Sequence, residues 1–250
     1  MRVLLHSGGP LGPEGRREIV DFLGERRRVA FVTAASLHDE EAYFARVASV
    51  LGVPPPEGAG LELLHLRWND RPQSLLARAE ALFMGGGNTY ALLKRLREAG
   101  LLPAIRARVE TGMPYVGASA GSNVAGPTIL TTNDWNVVAL EDFEALGLVA
   151  FNINPHYKET DPAMAPGSET RDDRIREYHV VNANPVVGLE EGAIARVRPG
   201  SSRRGARRGS RSSGEGRSRP GTSPASGWTF SRPPIRAHLL RWRPRPGRST

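Results

Sequence analysis

Tyr115-Val116-Gly117-Ala118-Ser119-Ala120-Gly121-Ser122-Asn123 is the stretch on which the reading of this chain turns. An apolar strand ends at Gly117, and a serine follows among residues too small to crowd it. The pattern is G-x-S-x-G at a strand-to-helix turn, the nucleophile elbow. A nucleophile on so sharp a turn projects its hydroxyl above the sheet, and flanking glycines allow backbone with no room for a Cβ. The helix starting after Ser119 leaves N–H groups free in its first turn, so Ala120 N–H is placed to serve an oxyanion. Small-residue turns between strand and helix are common, so the pattern alone does not establish catalysis.

Outward from this turn, apolar runs of β type alternate with helical stretches. That alternation predicts one α/β domain with a mostly parallel sheet flanked by helices on both faces. Strands are expected over 2–6, 29–33, 61–66 and 81–84, the last running into Gly85-Gly86-Gly87-Asn88. Helices are expected over 13–24, 39–51 with Asp39 as cap, 72–79, 89–99 and 101–111. Further strands are read at Phe151-Asn152-Ile153-Asn154-Pro155, Val186-Val187-Gly188-Leu189 and Ala193-Ile194-Ala195-Arg196-Val197.

Composition bounds the rest. No apolar run approaches the ~18 residues of a membrane span, and the short apolar start does not read as a signal peptide. With no cysteine in 250 residues, disulfides, thiolate metal sites and a Cys nucleophile are excluded. A cytoplasmic protein is expected. The net charge of +8 suggests nucleic acid until it is divided: residues 1–200 carry −4, and residues 201–250 carry +12 from 13 Arg against Glu215. Only Lys94 and Lys158 are lysines, a bias that points to a GC-rich genome rather than to a chemistry.

Beyond Pro199-Gly200 the composition changes to Arg, Ser, Gly and Pro, which cannot bury enough apolar surface to offset ordering entropy. The expected division is a catalytic domain over 1–198 and a tail over 199–250 that is disordered or the product of a shifted reading frame. An RNA-binding tail is disfavoured, since aromatics for stacking occur only at Trp228, Phe230 and Trp242.

A serine nucleophile needs a base, and the base an orienting acid. His6 ends the first strand, His65 lies within the third, His38 sits in a loop, His179 starts or precedes a strand, and His238 is in the tail. Structural or solvent-exposed roles suit these five. His156 differs, because it follows a strand running into a Pro-fixed turn at a sheet's edge. For the acid, Glu190-Glu191 after the strand at 186–189 is best placed, with Asp134 as the alternative.

Six pieces together carry a resemblance: Gly85-Gly86-Gly87-Asn88-Thr89, Gly117-Ala118-Ser119-Ala120-Gly121-Ser122-Asn123, Pro127-Thr128-Ile129 with Thr131-Thr132-Asn133-Asp134, Ile153-Asn154-Pro155-His156-Tyr157, Gly167-Ser168-Glu169-Thr170-Arg171 and Gly188-Leu189-Glu190-Glu191-Gly192. In this order, over about 1–198, the chain resembles peptidase E, the aspartyl dipeptidase family of serine peptidases. The resemblance implies a triad of Ser119, His156 and Glu191, and a sheet like that of class I glutamine amidotransferases with Ser in place of Cys. It implies release of an amino-terminal aspartate from small Asp-X peptides, with no metal or other cofactor. Within it, Gly86, Gly87 and Ala120 are the oxyanion candidates. Arg171 is the candidate for the aspartyl carboxylate, Glu169 for the substrate amine, Asn88 for a further substrate contact, and Asp134 for a contact that supports the site. The chain departs from the family at Ala118, where some relatives carry a bulky aromatic, and completely after about 198.

Two rival readings remain at this stage. An α/β-hydrolase esterase shares G-x-S-x-G but orders its triad Ser, acid, His. A non-catalytic small-molecule-binding relative would use Gly85–Asn88 as a phosphate cradle, although the Lys of a P-loop is missing. No membrane partner is expected, and the assembly kept in view is a homodimer.

Overall fold

The computed structural model describes residues 1–9, 11–158 and 169–197, and the backbone of 237–240. Six strands form the main sheet: β1 (Arg2–His6), β2 (Arg28–Val32), β3 (Glu62–Leu66), β4 (Ala81–Met84), β5 (Pro114–Ala118) and β8 (Ile194–Val197), in the order β3-β2-β4-β5-β1-β8. All neighbours are parallel except β8, which pairs antiparallel with β1. A three-stranded sheet holds β6 (Asn152–Tyr157), β7 (Val186–Glu190) and β9 (Ala237–Leu240), with β6 and β7 parallel and β9 antiparallel to β7. The expected tail otherwise lies outside the described residues, as do Gly167 and Ser168 of the fifth matching piece.

Parallel strands need crossovers, and the helices that supply them cover both faces of the main sheet. On one face Leu4, Val29, Phe31, Phe83 and Val116 pack against Ile19, Phe22 and Leu23 of α1 (Pro13–Leu23) and Leu51 of α2 (Glu40–Leu51). On the other, Val3, Leu5, Val32, Met84 and Tyr115 meet Leu76 of α3 (Pro72–Arg78), Leu92 and Leu96 of α4 (Thr89–Glu98) and Ile105 of α5 (Leu101–Glu110). Alternate residues along each strand face opposite layers, as a period of two requires. Asp39 caps α2 as expected, accepting from Ala42 N–H at 2.9 Å.

Two expectations are corrected. His179 lies inside α7 (Arg171–Val181), not at a strand, because a capping box of Thr170 and Asp173 starts a helix that continues through it. His156 is not in a turn after β6 but within the strand, at an irregularity in register between Pro155 and Tyr157. The extra residue bends the strand and re-aims that side chain.

The two sheets are joined at the end of β1. Ser7, fully buried, donates its hydroxyl to Leu189 C=O on β7 at 2.9 Å and accepts His156 N–H on β6 at 2.8 Å. Beside it His6 is buried, and burial pushes its imidazole down to about 4, with Glu191 opposing and His156 adding to that shift. Ser7→Ala strips partners from two buried backbone groups, at a cost of about 1–3 kcal/mol. Thermal unfolding is expected to show Tm lower by roughly 2–4 °C for each kcal/mol lost; an unchanged Tm would deny this joint any structural weight. His6 is also expected to make the fold acid-sensitive. Between about pH 6.5 and 4 the unfolded chain binds a proton that folded His6 refuses. Stability therefore falls as pH drops through that window, by about 3 kcal/mol in all. Denaturant titrations across the window should be shallower in pH dependence for His6→Asn than for the parent.

Candidate active site

Ser119 sits between β5 and the short α6 (Ala120–Asn123), at φ 51° and ψ −109°. That backbone is strained for a residue with a Cβ, and it survives because its surroundings over-determine it. Ser119 N–H donates to His6 C=O at 2.9 Å, and Ser122 Oγ lies 2.8 Å from both His6 C=O and Gly117 C=O. From below, the buried Tyr115 hydroxyl donates to Gly121 C=O at 2.5 Å. The two flanking glycines are sterically required: a Cβ on Gly117 would lie 2.5 Å from Gly121 O, and one on Gly121 would overlap the Met84 carbonyl.

His156 Nε2 lies 2.9 Å from Ser119 Oγ, and His156 Nδ1 is hydrogen-bonded to Glu191 Oε2. The three residues singled out in the sequence thus form one chain of contacts in the order Ser, His, Glu. Glu190, the other member of the acidic pair, ends β7, and Glu191 is the first residue beyond it. His156, like Ser119, has a positive φ of 54°. Gly8 and Gly9 form the floor. A Cβ on Gly8 would overlap the His156 ring, and one on Gly9 would overlap the Glu191 carboxylate.

The oxyanion candidates separate. Gly86 N–H is committed to Tyr43 Oη at 2.9 Å. Among the described residues Gly87 N–H and Ala120 N–H have no acceptor, the latter because it opens α6. A Cβ on Gly86 would lie 3.1 Å from Ser119 Cβ, so the Gly85–Gly87 loop is held directly against Ser119. Tyr43 fixes that loop from α2, and burial raises its phenol above the ordinary range.

The expected substrate contacts fare less evenly. Asn88 caps α4, accepting from Ala91 N–H and donating to Trp135 C=O, both at 2.9 Å. Asp134 accepts from Thr89 N–H at 2.7 Å and from Thr132 Oγ1 at 3.1 Å. Both side chains are engaged at the start of α4 and with the loop against it. Glu169 is exposed and paired with Arg174 at 3.6 Å. Arg171 is half-buried with no carboxylate partner among the described residues, and burial followed by repulsion from Arg174 lowers its pKa. With Asn133 and Asn154 it lines a cavity of about 350 Å3 separate from the one Ser119 lines. The two are linked through Asn133, whose side chain donates to Pro155 C=O, next to His156, at 2.8 Å.

Ser7, Gly8, Gly9 and Tyr43 went unassigned in the sequence. Gly8-Gly9 directly after a first strand was the available signal, whereas Tyr43 looks like any core residue of an amphipathic helix. His65 is structural, 2.9 Å from Thr33 Oγ1 and stacked on Phe44. Among the described residues no group of three or more His, Asp or Glu is gathered to hold a metal ion, and no helix is long and apolar enough to cross a membrane.

The chain is similar to known proteins. The chain is 43% identical to Peptidase E of Streptomyces coelicolor over 179 residues, covering 72% of this chain and 71% of that one. It is 46% identical over 196 residues to the Drosophila melanogaster protein named "Probable alpha-aspartyl dipeptidase", covering 77% and 79%. In three dimensions it follows the crystal structure of a peptidase from an acI-B1 Actinobacterium with a TM-score of 0.56 at 15% identity, over 79% of this chain and 83% of that one, a likeness of fold alone. Residues 3–204 match Peptidase family S51, and with relatives of this identity over most of both chains, the protein belongs to that family.

Proposed function

We propose that the protein is a serine exopeptidase that removes an amino-terminal aspartate from Asp-X dipeptides, with Ser119 as nucleophile on a nucleophile elbow, His156 as base and Glu191 as orienting acid. The observation that carries this reading is the continuous contact from Ser119 Oγ through both nitrogens of His156 to Glu191. The chain order Ser, His, acid speaks against the α/β-hydrolase alternative, in which the acid precedes the histidine.

His156 Nε2 takes the proton of Ser119 Oγ as that oxygen forms a bond to the carbonyl carbon of the aspartyl residue. Glu191, accepting from Nδ1–H, fixes the tautomer and stabilises the imidazolium. The carbonyl oxygen becomes an oxyanion, to which we assign Ala120 N–H and Gly87 N–H as donors; losing one such donor typically costs about 10²–10³ in rate. His156 then returns the proton to the leaving nitrogen, the C–N bond breaks, and an ester to Ser119 remains. Water, deprotonated by the same imidazole, hydrolyses that ester and frees aspartate.

Selectivity for aspartate needs a cation, because an unpaired carboxylate is costly to desolvate. Arg171 is our choice: it is half-buried and has no acidic partner among the described residues. The aspartyl dipeptidase name of a relative that is 46% identical supports the same substrate. Glu169 is assigned to the substrate's free amine, in competition with Arg174.

Release of chromophore from aspartyl, glutamyl and leucyl anilides tests the reading. Preferential turnover of the aspartyl compound is expected, with kcat reduced roughly 10⁴–10⁶-fold in Ser119→Ala. Equal turnover of all three would remove the aspartate preference, and activity surviving in Ser119→Ala would remove the nucleophile. Arg171→Gln is expected to lower the aspartyl-to-leucyl ratio of kcat/KM by about tenfold or more. A fall in both by the same factor would reassign Arg171 to the fold.

A further inference from the structure

The cavity that Ser119 and His156 line, of about 530 Å3, opens directly beside the nucleophile, and nothing above assigns it an occupant. We infer that it is the subsite for the residue released on cleavage, shaped for a large apolar side chain whose free α-carboxylate is held by Arg46. The inference rests on the peptidase reading and adds to it the class of leaving residue.

Position comes first. Ser119 and His156 both line this cavity, whereas neither lines the one that contains Arg171. The proton that leaves His156 Nε2 goes to the departing nitrogen, so the departing residue must lie on a side His156 faces. Chemistry agrees with position. The apolar lining that remains accessible is Leu11, Val47 and Val50, backed by the buried Phe31, Leu51 and Phe83, a surface that gains from burying an aromatic or branched aliphatic side chain and gains nothing from glycine. Its size falls in the range of ordinary small-ligand pockets. Ala118, preceding the nucleophile, adds only a methyl group to the wall.

Charge decides the other end of the ligand. Arg16 and Arg46 both line the cavity, and no Asp or Glu does. Arg16 donates to Leu11 C=O at 2.8 Å, so part of its guanidinium is already used. Arg46 lies 5.2 Å above the ring of Tyr43, the residue that fixes Gly86. Among the described residues it has no ion-pair partner. A guanidinium so placed presents a planar fork that fits a carboxylate in bidentate fashion. A dipeptide carries that carboxylate on the leaving residue itself, whereas a longer peptide carries an amide there. Arg46 would thus favour dipeptides over longer chains.

The test is a set of kcat/KM values for Asp-Phe, Asp-Gly and Asp-Phe-amide. Asp-Phe is expected to exceed Asp-Gly by about tenfold or more, since even one methylene in such a pocket is worth roughly 10–200-fold. Asp-Phe should also exceed its amide. Arg46→Gln should reduce the Asp-Phe to Asp-Phe-amide ratio by about tenfold. Val47→Trp, which fills the cavity, should collapse the Asp-Phe to Asp-Gly ratio toward one. Calorimetric binding of the three compounds to Ser119→Ala gives the same ratios without turnover. A fall in Arg46→Gln equal for acid and amide would instead place Arg46 on the aspartyl side, and equal use of Asp-Phe and Asp-Gly would overturn the apolar subsite. Repeating the set with amino-terminal Ala separates the two readings. If aspartate selectivity is absent, the leaving-residue ratios are still read in the Ala series.

Discussion

The hydroxyl of Ser7 and the carbonyl of His6 hold the active site together. His6 C=O accepts from Ser119 N–H, which ties the proposed nucleophile to β1, while Ser7 Oγ reaches across to the second sheet and binds the backbone of both His156 and Leu189. Ser119, His156 and, through Leu189, the strand that leads to Glu191 are thereby referred to two consecutive residues at the end of one strand. A triad tolerates little misplacement, since about 1 Å of error is enough to cost roughly 10² in rate. Three elements from two sheets would not hold such a tolerance by apolar packing alone, because dispersion contacts fix distance less sharply than buried hydrogen bonds do.

The same economy of space explains the glycines. Gly8 and Gly9 follow Ser7 at φ 136° and 85°, and each passes beneath a triad side chain at a distance that excludes a Cβ. Gly117 and Gly121 do the same for the turn that carries Ser119. The strain at Ser119 and His156 is held by the hydrogen bonds around them, and it aims both side chains out of their strands toward each other.

Electrostatics divides the surroundings of the nucleophile into two sides. Toward α7, Arg171 is a half-buried cation without an acidic partner among the described residues. Toward α1 and α2, the cavity is apolar in its depth and carries Arg16 and Arg46. Burial keeps His6 neutral at ordinary pH, so no second imidazolium competes with the one His156 forms in the proposed reaction.

The sequence by itself determined the elements and the mostly parallel main sheet with helices on both faces, and it singled out Ser119 and His156 as candidates. These follow from local rules: alternating apolar runs, a cap such as Asp39, and a run of small residues around a serine. Those rules left the acid open between Glu190-Glu191 and Asp134, and only the family resemblance implied Glu191. The sequence did not reveal that β6 and β7 leave the main sheet, that His156 stays within a strand, or that Asn88 and Asp134 are engaged at the start of α4. Nor did it point to Tyr43 as the anchor of the Gly85–Gly87 loop or to the joint at Ser7. Only the tertiary structure decided these, because each depends on contacts between residues distant in the chain, such as Ser7 with Leu189 and Tyr43 with Gly86. A side chain's hydrogen-bonding capacity is written in its residue type, but the partner that consumes it is chosen when strands and helices come together. Asn88, read as a ligand contact, illustrates the reason: the same amide serves a substrate or a helix cap, and only packing says which.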